Sequence, residues 1–449
     1  MTQHDTLRRY GLFSSRAPRY TSYPTAPHFN KNVGAETMAN WLEQVPERAK
    51  VSLYIHIPFC RRLCWFCACR TQGTQTDAPL RGYLDMLKAE LAMVANSLPA
   101  NVQLSRLHWG GGTPTILPPA MITELAEEID HHFPLSTGSE FSVEVDPTMV
   151  DPGKVKALGA AGLTRVSLGV QDFDPKVQTA IGRIQSFDET KWAADALRDV
   201  GAQNLNLDIL YGLPFQTATS LTDTVAKTLE LSPDRLALYG YAHVPWAAKR
   251  QVLIPEAELP DGPMRYALFH LASQLFGSFG YDAIGIDHFA RAGDGLLNAS
   301  LNGTLRRNFQ GYTDDQAEVL IGIGASSISR FPQGYAQNAP GTGEYATAIS
   351  SGKLATSKGH ILSDDDRLRA KLIEDLMCRF AVDASTVAET TGTKSAEVNA
   401  ILADLHSRYK DVTTMTTDTF TLTEPALSRL LAMDLDAYQA ETNRHSLAI

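Results

Sequence analysis

Six short apolar runs, each trailed by a helical stripe, leave few architectures open to this chain. The runs are 51–57 (VSLYIHI), 106–109, 140–145, 165–169, 204–210 and 235–241, and all are rich in β-branched or aromatic residues. Between them, Leu84, Leu87, Leu91 and Val94 share one helical face, as do Ile122, Leu125, Ile129 and Phe133. Asp151-Pro152 supplies an N-cap followed by proline at the first helical position, and Gly162 stands where that helix should stop. Trp192, Ala196 and Val200 run to Gly201 in the same way. Leu221, Val225 and Leu229 form another stripe, and Leu268, Leu271 and Leu275 precede Gly280. Strands joined through helices pair in parallel, because a tight turn cannot return the chain to the starting end of a sheet. Six such units predict an α/β fold with an open or partial barrel rather than a closed eightfold one. In these folds chemistry gathers at the carboxyl ends of the strands. Cys60, 110–113, Glu144, Gln171 and Asp208 all fall at or near those ends.

The ends of the chain differ from this middle, 45–350. The last ~90 residues lose the alternation. Ser363 followed by three aspartates reads as a capped helix start, and Leu368, Leu372, Leu376 and Phe380 then mark one face. Two short helical patterns, a hairpin near 416–419 and a helix from Glu424 complete a mainly helical C-terminal domain, 351–449, of winged-helix-like order. It carries 11 basic against 15 acidic residues, which favours a packing or lid role over DNA binding. At the other end, 1–44 is expected to form an arm over the active site. Within its first 31 residues Arg8, Arg9, Arg16, Arg19 and Lys31 stand against only Asp5, around the aromatic segment PRYTSYP. Such an arm suits an anionic, partly flat ligand; a solvated tail is the plainer alternative.

The whole chain has a net charge of −10, which argues against a general nucleic-acid or anionic-membrane binder. No apolar run approaches the ~20 residues of a membrane helix. The first ten residues lack the apolar centre of a signal peptide, so a cytoplasmic location is expected, and the absence of a heptad pattern suits a monomer.

Four of the five cysteines, Cys60, Cys64, Cys67 and Cys69, lie within ten residues. In a reducing compartment such a group reads as metal-binding or catalytic. C-x3-C-x2-C lets three thiolates from one loop hold three irons of a [4Fe–4S] cluster, whose full ligation takes four. One iron is then left open for chemistry. A structural zinc site using all four cysteines is the alternative, although such sites usually pair two spaced halves.

The motif following a first strand resembles the radical S-adenosylmethionine (SAM) superfamily. Within it, the chain is similar to the oxygen-independent coproporphyrinogen III oxidase family. The matching segments include PRYTSYPT at 18–25, SLYIHIPFC at 52–60, CWFCAC at 64–69, LHWGGGTPT at 107–115, VEVDP at 143–147 and GVQDF at 169–173. LDILYGLP at 207–214, YAHVP at 241–245, IDHFAR at 286–291, RNFQGYT at 307–313 and YAQN at 335–338 continue them in order.

The resemblance implies a partial (β/α)6 barrel of the radical SAM type. It implies a [4Fe–4S] cluster on Cys60, Cys64 and Cys67, with one SAM on the open iron and a second SAM beside it. It further implies that a 5′-deoxyadenosyl radical attacks two propionates of coproporphyrinogen III, which lose CO2 to become vinyl groups. Tyr54 and Gly111 match contacts to the cluster-bound SAM, Glu144 a position near its ribose and Ile328 one near its adenine. Phe66, Gly112, Thr113, Gln171, Arg183, Asp208 and Ala242 match contacts to the second SAM. Ala68 departs from the glycine common there. His56 and Cys69 match catalytic positions of the family.

Cys69 also separates this family from the related heme chaperones, which usually carry phenylalanine there and lack PRYTSYPT. Those chaperones and a heme-acting radical SAM methyltransferase are the competing readings. The electrostatics fit separately: Arg61, Arg62 and Arg70 surround the motif with no acidic residue between 60 and 76. Arginine pairs carboxylates bidentately, so Arg19 and one or more of these three are expected to hold propionates. A low-potential electron donor and an electron acceptor are the remaining partners implied.

Overall fold

The computed structural model describes residues 3–438 and 445–449. The six expected strands are present as β1 Lys50–Ile57, β2 Gln103–Gly111, β3 Leu135–Val145, β4 Arg165–Gln171, β5 Asn204–Tyr211 and β6 Arg235–Gly240. They pair in parallel and in chain order. The crossovers are helices α1 Ala78–Ser97, α2 Pro119–His132, α3 Pro152–Ala160, α4 Phe187–Asp199 and α5 Ala218–Glu230; α6 Gly262–Ser278 follows β6. Strand interiors are buried on both faces, which is why β1 reads as an almost unbroken apolar run.

The punctuation is where the sequence placed it. Asp151 accepts from the Lys154 N–H at 3.0 Å to cap α3. Gly162 (φ +83°), Gly201 (φ +123°) and Gly280 (φ +83°) adopt the left-handed conformations that end the preceding helices.

Further strands extend the sheet beyond those expected. Tyr281–Ile284 (β7) and His288–Arg291 (β8) add antiparallel strands at the β6 edge. Beyond β1, Val319–Ile323 (β9) pairs in parallel, and Ile328–Phe331 (β10), Gly334–Asn338 (β11) and Thr356–Ile361 (β12) continue antiparallel. The order β12-β11-β10-β9-β1-β2-β3-β4-β5-β6-β8-β7 leaves two free edges. The sheet is therefore open, with the six-strand barrel segment at its centre.

After Ser363, whose capping box with Asp366 opens the helix Asp364–Arg379, come a strand Ala381–Asp383 and helices Ala384–Thr391 and Ser395–Arg408. The expected hairpin pairs Thr413–Met415 with Thr419–Leu422, and the helix expected from Glu424 begins at Ser428. Leu7, Leu12, Tyr20 and Tyr23 join Leu372, Leu376 and Phe420 in one core. The first segment of the chain thus packs against the last, and the buried Arg429 clamps it by donating to the carbonyls of Ala17 and Pro18.

Candidate active site

The cysteines lie on a loop that leaves β1 and closes on itself. Phe59–Cys60 pairs with Gln72–Gly73, and the Thr74 N–H donates to the Cys60 carbonyl at 3.0 Å. Further along, the Trp65 N–H donates to the Ile181 carbonyl at 3.0 Å. The indole lies over Gly182, where a Cβ would sit 2.8 Å from the ring. The buried Gln251 amide donates to the carbonyls of Phe66 and Ala242 at 2.7 and 3.0 Å, tying the loop to the end of β6.

The end of β2 packs directly against this loop. Gly112 and Thr113 N–H groups donate to the Ile57 and Phe59 carbonyls at 2.8 and 3.0 Å. Gly111 has φ +115°, and a Cβ on Gly112 would lie 2.7 Å from the Phe59 carbonyl oxygen. Glycine is required here by close approach.

All five cysteines are free thiols, and Cys60, Cys64, Cys67 and Cys69 line one cavity of about 440 Å³. Sulfur receives directed donors: Thr113 Oγ1 at 3.6 Å from Cys60 and Arg183 Nη1 at 3.5 Å from Cys64. Arg183 is itself fixed by Asp146 at 3.2 Å, the Gly169 carbonyl at 2.8 Å and Gln185 at 3.0 Å. Burial pushes the Cys60 thiol up to about 11 against the Thr113 hydrogen bond. A hydrogen bond from Cys69 draws the Cys67 thiol below its ordinary value.

Two carboxylates face the same cavity from β3 and β5. Glu144 accepts from the Gly111 N–H at 3.0 Å and lies 3.3 Å from His108 Nε2. Burial would raise its pKa, but these partners hold it below the usual carboxylate range. Asp208 accepts from Ser167 Oγ and Asn206 Nδ2, both at 2.9 Å. Burial nevertheless pushes it up to about 6. Gln171, with φ +65°, closes β4 at a register shift and turns onto the cavity wall.

The cavity wall gathers Arg19, Phe66, Gly111, Gly112, Thr113, Glu144, Gln171, Arg183, Asp208 and Ala242 with the cysteines. Three expected residues stand off it. Tyr54 stacks on His108 with ring centroids 5.7 Å apart, and so meets the site through Glu144. His56 has both ring nitrogens engaged, by Tyr54 Oη at 2.9 Å and Ser326 Oγ at 3.3 Å. Ile328 opens β10, and its backbone packs over Gly322, the β9 partner of Tyr54.

The three arginines around the motif take different directions. Arg61 turns away to Asp77 and the carbonyls of Thr74 and Thr76, because the closing turn of the loop offers those acceptors. Arg62 reaches the cavity but is engaged by Asp146 at 3.3 Å and the Ile184 carbonyl at 2.6 Å. Arg70 is exposed and does not line the cavity. Arg19 does line it, donating to the Gly240 carbonyl at 2.7 Å. Arg250, which sequence patterning did not single out, completes the basic wall and bonds Thr71 Oγ1 at 2.8 Å.

The donor set fits an iron–sulfur cluster and a bound amino-acid-bearing cofactor. The thiols of Cys60, Cys64 and Cys67, with that of Cys69 beside them, open onto a cavity wide enough for more than a single ion, and its wall supplies both carboxylate acceptors and guanidinium donors.

The Radical SAM superfamily signature matches residues 54–227. The oxygen-independent coproporphyrinogen III oxidase of Paracoccus denitrificans is 53% identical over 451 residues, covering 100% of both chains. That of Cereibacter sphaeroides is 50% identical over 97% of both. The solved coproporphyrinogen III oxidase of Escherichia coli, a radical SAM enzyme, superposes with a TM-score of 0.89 at 35% identity, covering 94% of this chain and 97% of that one. With full-length identity of this order and the cysteine loop on the matching barrel, the chain belongs to the oxygen-independent coproporphyrinogen III oxidase family of the radical SAM superfamily.

Proposed function

We infer that this protein catalyses oxidative decarboxylation of two propionates of coproporphyrinogen III, giving protoporphyrinogen IX without oxygen in heme biosynthesis. Each propionate gives up a hydrogen atom, one further electron and CO2, and becomes a vinyl group. The observation that carries the reading is the set of free thiols of Cys60, Cys64, Cys67 and Cys69 on one cavity, with Glu144 and Asp208 on its wall, in a chain with full-length identity to such oxidases.

Cys60, Cys64 and Cys67 are the residues to hold a [4Fe–4S] cluster; Tyr54, Gly111, Glu144 and Ile328 are those for its SAM. Bound there, cluster and SAM supply the carbon-centred radical that removes the hydrogen atom. The chain's own task is to bind, orient and shield. Arg183 and Thr113 direct donors at the cysteine sulfurs. Glu144, kept ionised, offers acceptors to ribose hydroxyls. Phe66, Gly112, Thr113, Gln171, Arg183, Asp208 and Ala242 frame the remainder of the cavity as the place for a second SAM. Arg19 and Arg250 present guanidinium groups to the substrate's carboxylates. His56 on β1 and Cys69 on the cysteine loop take the catalytic positions beside the cluster, and the arm covers the site. Four unpaired thiols on that loop suit a reducing, cytoplasmic compartment.

The test is anaerobic turnover of reconstituted protein with SAM, a low-potential reductant and coproporphyrinogen III, followed by chromatography. A monovinyl intermediate, protoporphyrinogen IX and 5′-deoxyadenosine are the expected products. SAM cleavage without decarboxylation, together with tight heme binding, would replace this reading with a heme chaperone or a heme-acting methyltransferase.

A further inference from the structure

Helix α1 carries a carboxylate on its buried face. Leu84, Leu87, Leu91 and Val94 pack into the core, and Glu90 stands among them at 2% exposure. Removing a carboxylate from water is costly unless its oxygens are satisfied. Here three neutral donors satisfy them. The Gly324 N–H and the Tyr345 O–H each reach Oε2 at 2.7 Å, and Asn338 Nδ2 reaches Oε1 at 2.6 Å. Burial still pushes the Glu90 carboxyl up to about 7. An apolar residue would fill this helix face at lower cost, so the carboxylate calls for an explanation beyond packing.

Its partners come from three separate segments: the β9–β10 turn, the end of β11 and the helix Thr342–Ser350. The turn is the common element. Asn338 Nδ2 also donates to the Gly324 carbonyl at 3.0 Å and lies 3.2 Å from Ser327 Oγ. Tyr83, two turns before Glu90 on α1, accepts from the Ala325 N–H and donates to the His56 carbonyl, both at 2.8 Å. Two consecutive amides of the turn are thus held by one helix.

The turn is closely fitted. Gly324 has φ +102°, a Cβ there would lie 2.6 Å from the His56 carbonyl oxygen, and Ser326 has φ +64°. From that conformation Ser326 Oγ meets His56 Nε2, whose other ring nitrogen meets Tyr54. Two residues on, Ile328 packs over Gly322 beside Tyr54.

We propose that Glu90 is a positioning residue for SAM binding. Its carboxylate pins the 324–327 turn, so that Ser326 orients the His56–Tyr54 pair and Ile328 enters β10 in place. The inference rests on the reading that Tyr54 and Ile328 contact SAM. The ionised carboxyl suits the task because it only accepts; an amide at position 90 would turn an NH2 group toward at least one of the three donors.

The test uses cluster-reconstituted full-length protein. Glu90→Gln should retain wild-type iron content, while equilibrium dialysis with SAM shows about tenfold weaker binding, the effect of one buried donor left unpaired. Hydrogen exchange should accelerate in 324–328 and stay unchanged in β3–β5. Should Glu90→Gln fold poorly, Tyr345→Phe removes a single donor and should shift both readouts in the same direction, by a smaller factor. A purely architectural role would lower stability and the folded fraction but leave SAM affinity of the folded protein unchanged. That result, or unchanged exchange in the turn, overturns the inference. Wild-type protein that binds no SAM would instead refute the functional reading, and the exchange measurement would still judge the pin itself.

Discussion

Replacing Gly112 with alanine tests whether the end of β2 buttresses the cysteine loop. Gly112 is outside the left-handed region, so its backbone would accept alanine without conformational strain. The obstacle is space. The added Cβ would lie 2.7 Å from the Phe59 carbonyl oxygen, 3.0 Å from the Pro58 carbonyl carbon and 3.0 Å from Cys60 Sγ. Two of these atoms are backbone and cannot rotate away. The loop must therefore retreat by several tenths of an ångström, an overpacking that typically costs about 1–3 kcal/mol.

The retreat moves Cys60 directly. If about 1.4 kcal/mol of the strain falls on thiol geometry, affinity for iron drops about tenfold. Gly110 provides the control. A Cβ there meets side-chain atoms only, Glu144 Oε1 at 2.9 Å and His108 Nε2 at 3.0 Å, which yield more readily than the backbone beside Gly112. Anaerobic reconstitution with limiting iron and sulfide, read by iron content and visible absorption, should rank wild type above Gly110→Ala, and Gly110→Ala above Gly112→Ala. Gly112→Ala protein with wild-type iron content and thermal stability would refute the argument, as would a reversed order of the two variants.

The remaining predictions concern charge and ligation. Burial would raise the pKa of Glu140, but Arg165 at 2.8 Å and Arg106 at 2.9 Å outweigh it and hold the carboxyl at about 2. A depressed folded-state pKa means the stabilisation is complete above the ordinary value near 4.5 and is lost as pH falls towards 2. Its size is about 3 kcal/mol. Thermal unfolding should therefore show an acid limb over that range that Glu140→Gln flattens, at the cost of lower stability near pH 7; an unchanged limb would contradict the assignment. Serine at Cys60, Cys64 or Cys67 should each abolish cluster absorption, whereas Cys69→Ser should retain it. Loss of iron from the Cys69 variant would recast the ligand set.

Local signals were legible because they depend on near neighbours. The strand β1 is visible as VSLYIHI, since parallel strands are buried on both faces and favour apolar, β-branched and aromatic residues at most positions. Asp151-Pro152, Gly162 and the Ser363 box mark helix ends through backbone geometry that only certain residues supply. The strands β7–β12 were not legible: four to six residues long and flanking the central six, they take their conformation from the neighbouring strand rather than from their own pattern. Gln251 gives no signal either, for its importance lies in two carbonyls, those of Phe66 and Ala242, that reach it only after folding.

By itself, the sequence determined the alternating α/β order, the C-x3-C-x2-C loop after β1 and the family that shares these motifs. Spacing along the chain sets which thiols come from one loop, and no tertiary contact is needed to read it. Tertiary structure alone decided which charges face the cavity. Arg19 and Arg250 do, Arg61 does not, and Arg62 is engaged by Asp146. A long guanidinium goes to whichever acceptors the folded chain leaves within reach. The burial of Glu90 was decided in the same way. On a helical wheel it is a polar residue among leucines, and only Gly324, Asn338 and Tyr345, more than two hundred residues away, supply the donors that make its place on the buried face tenable.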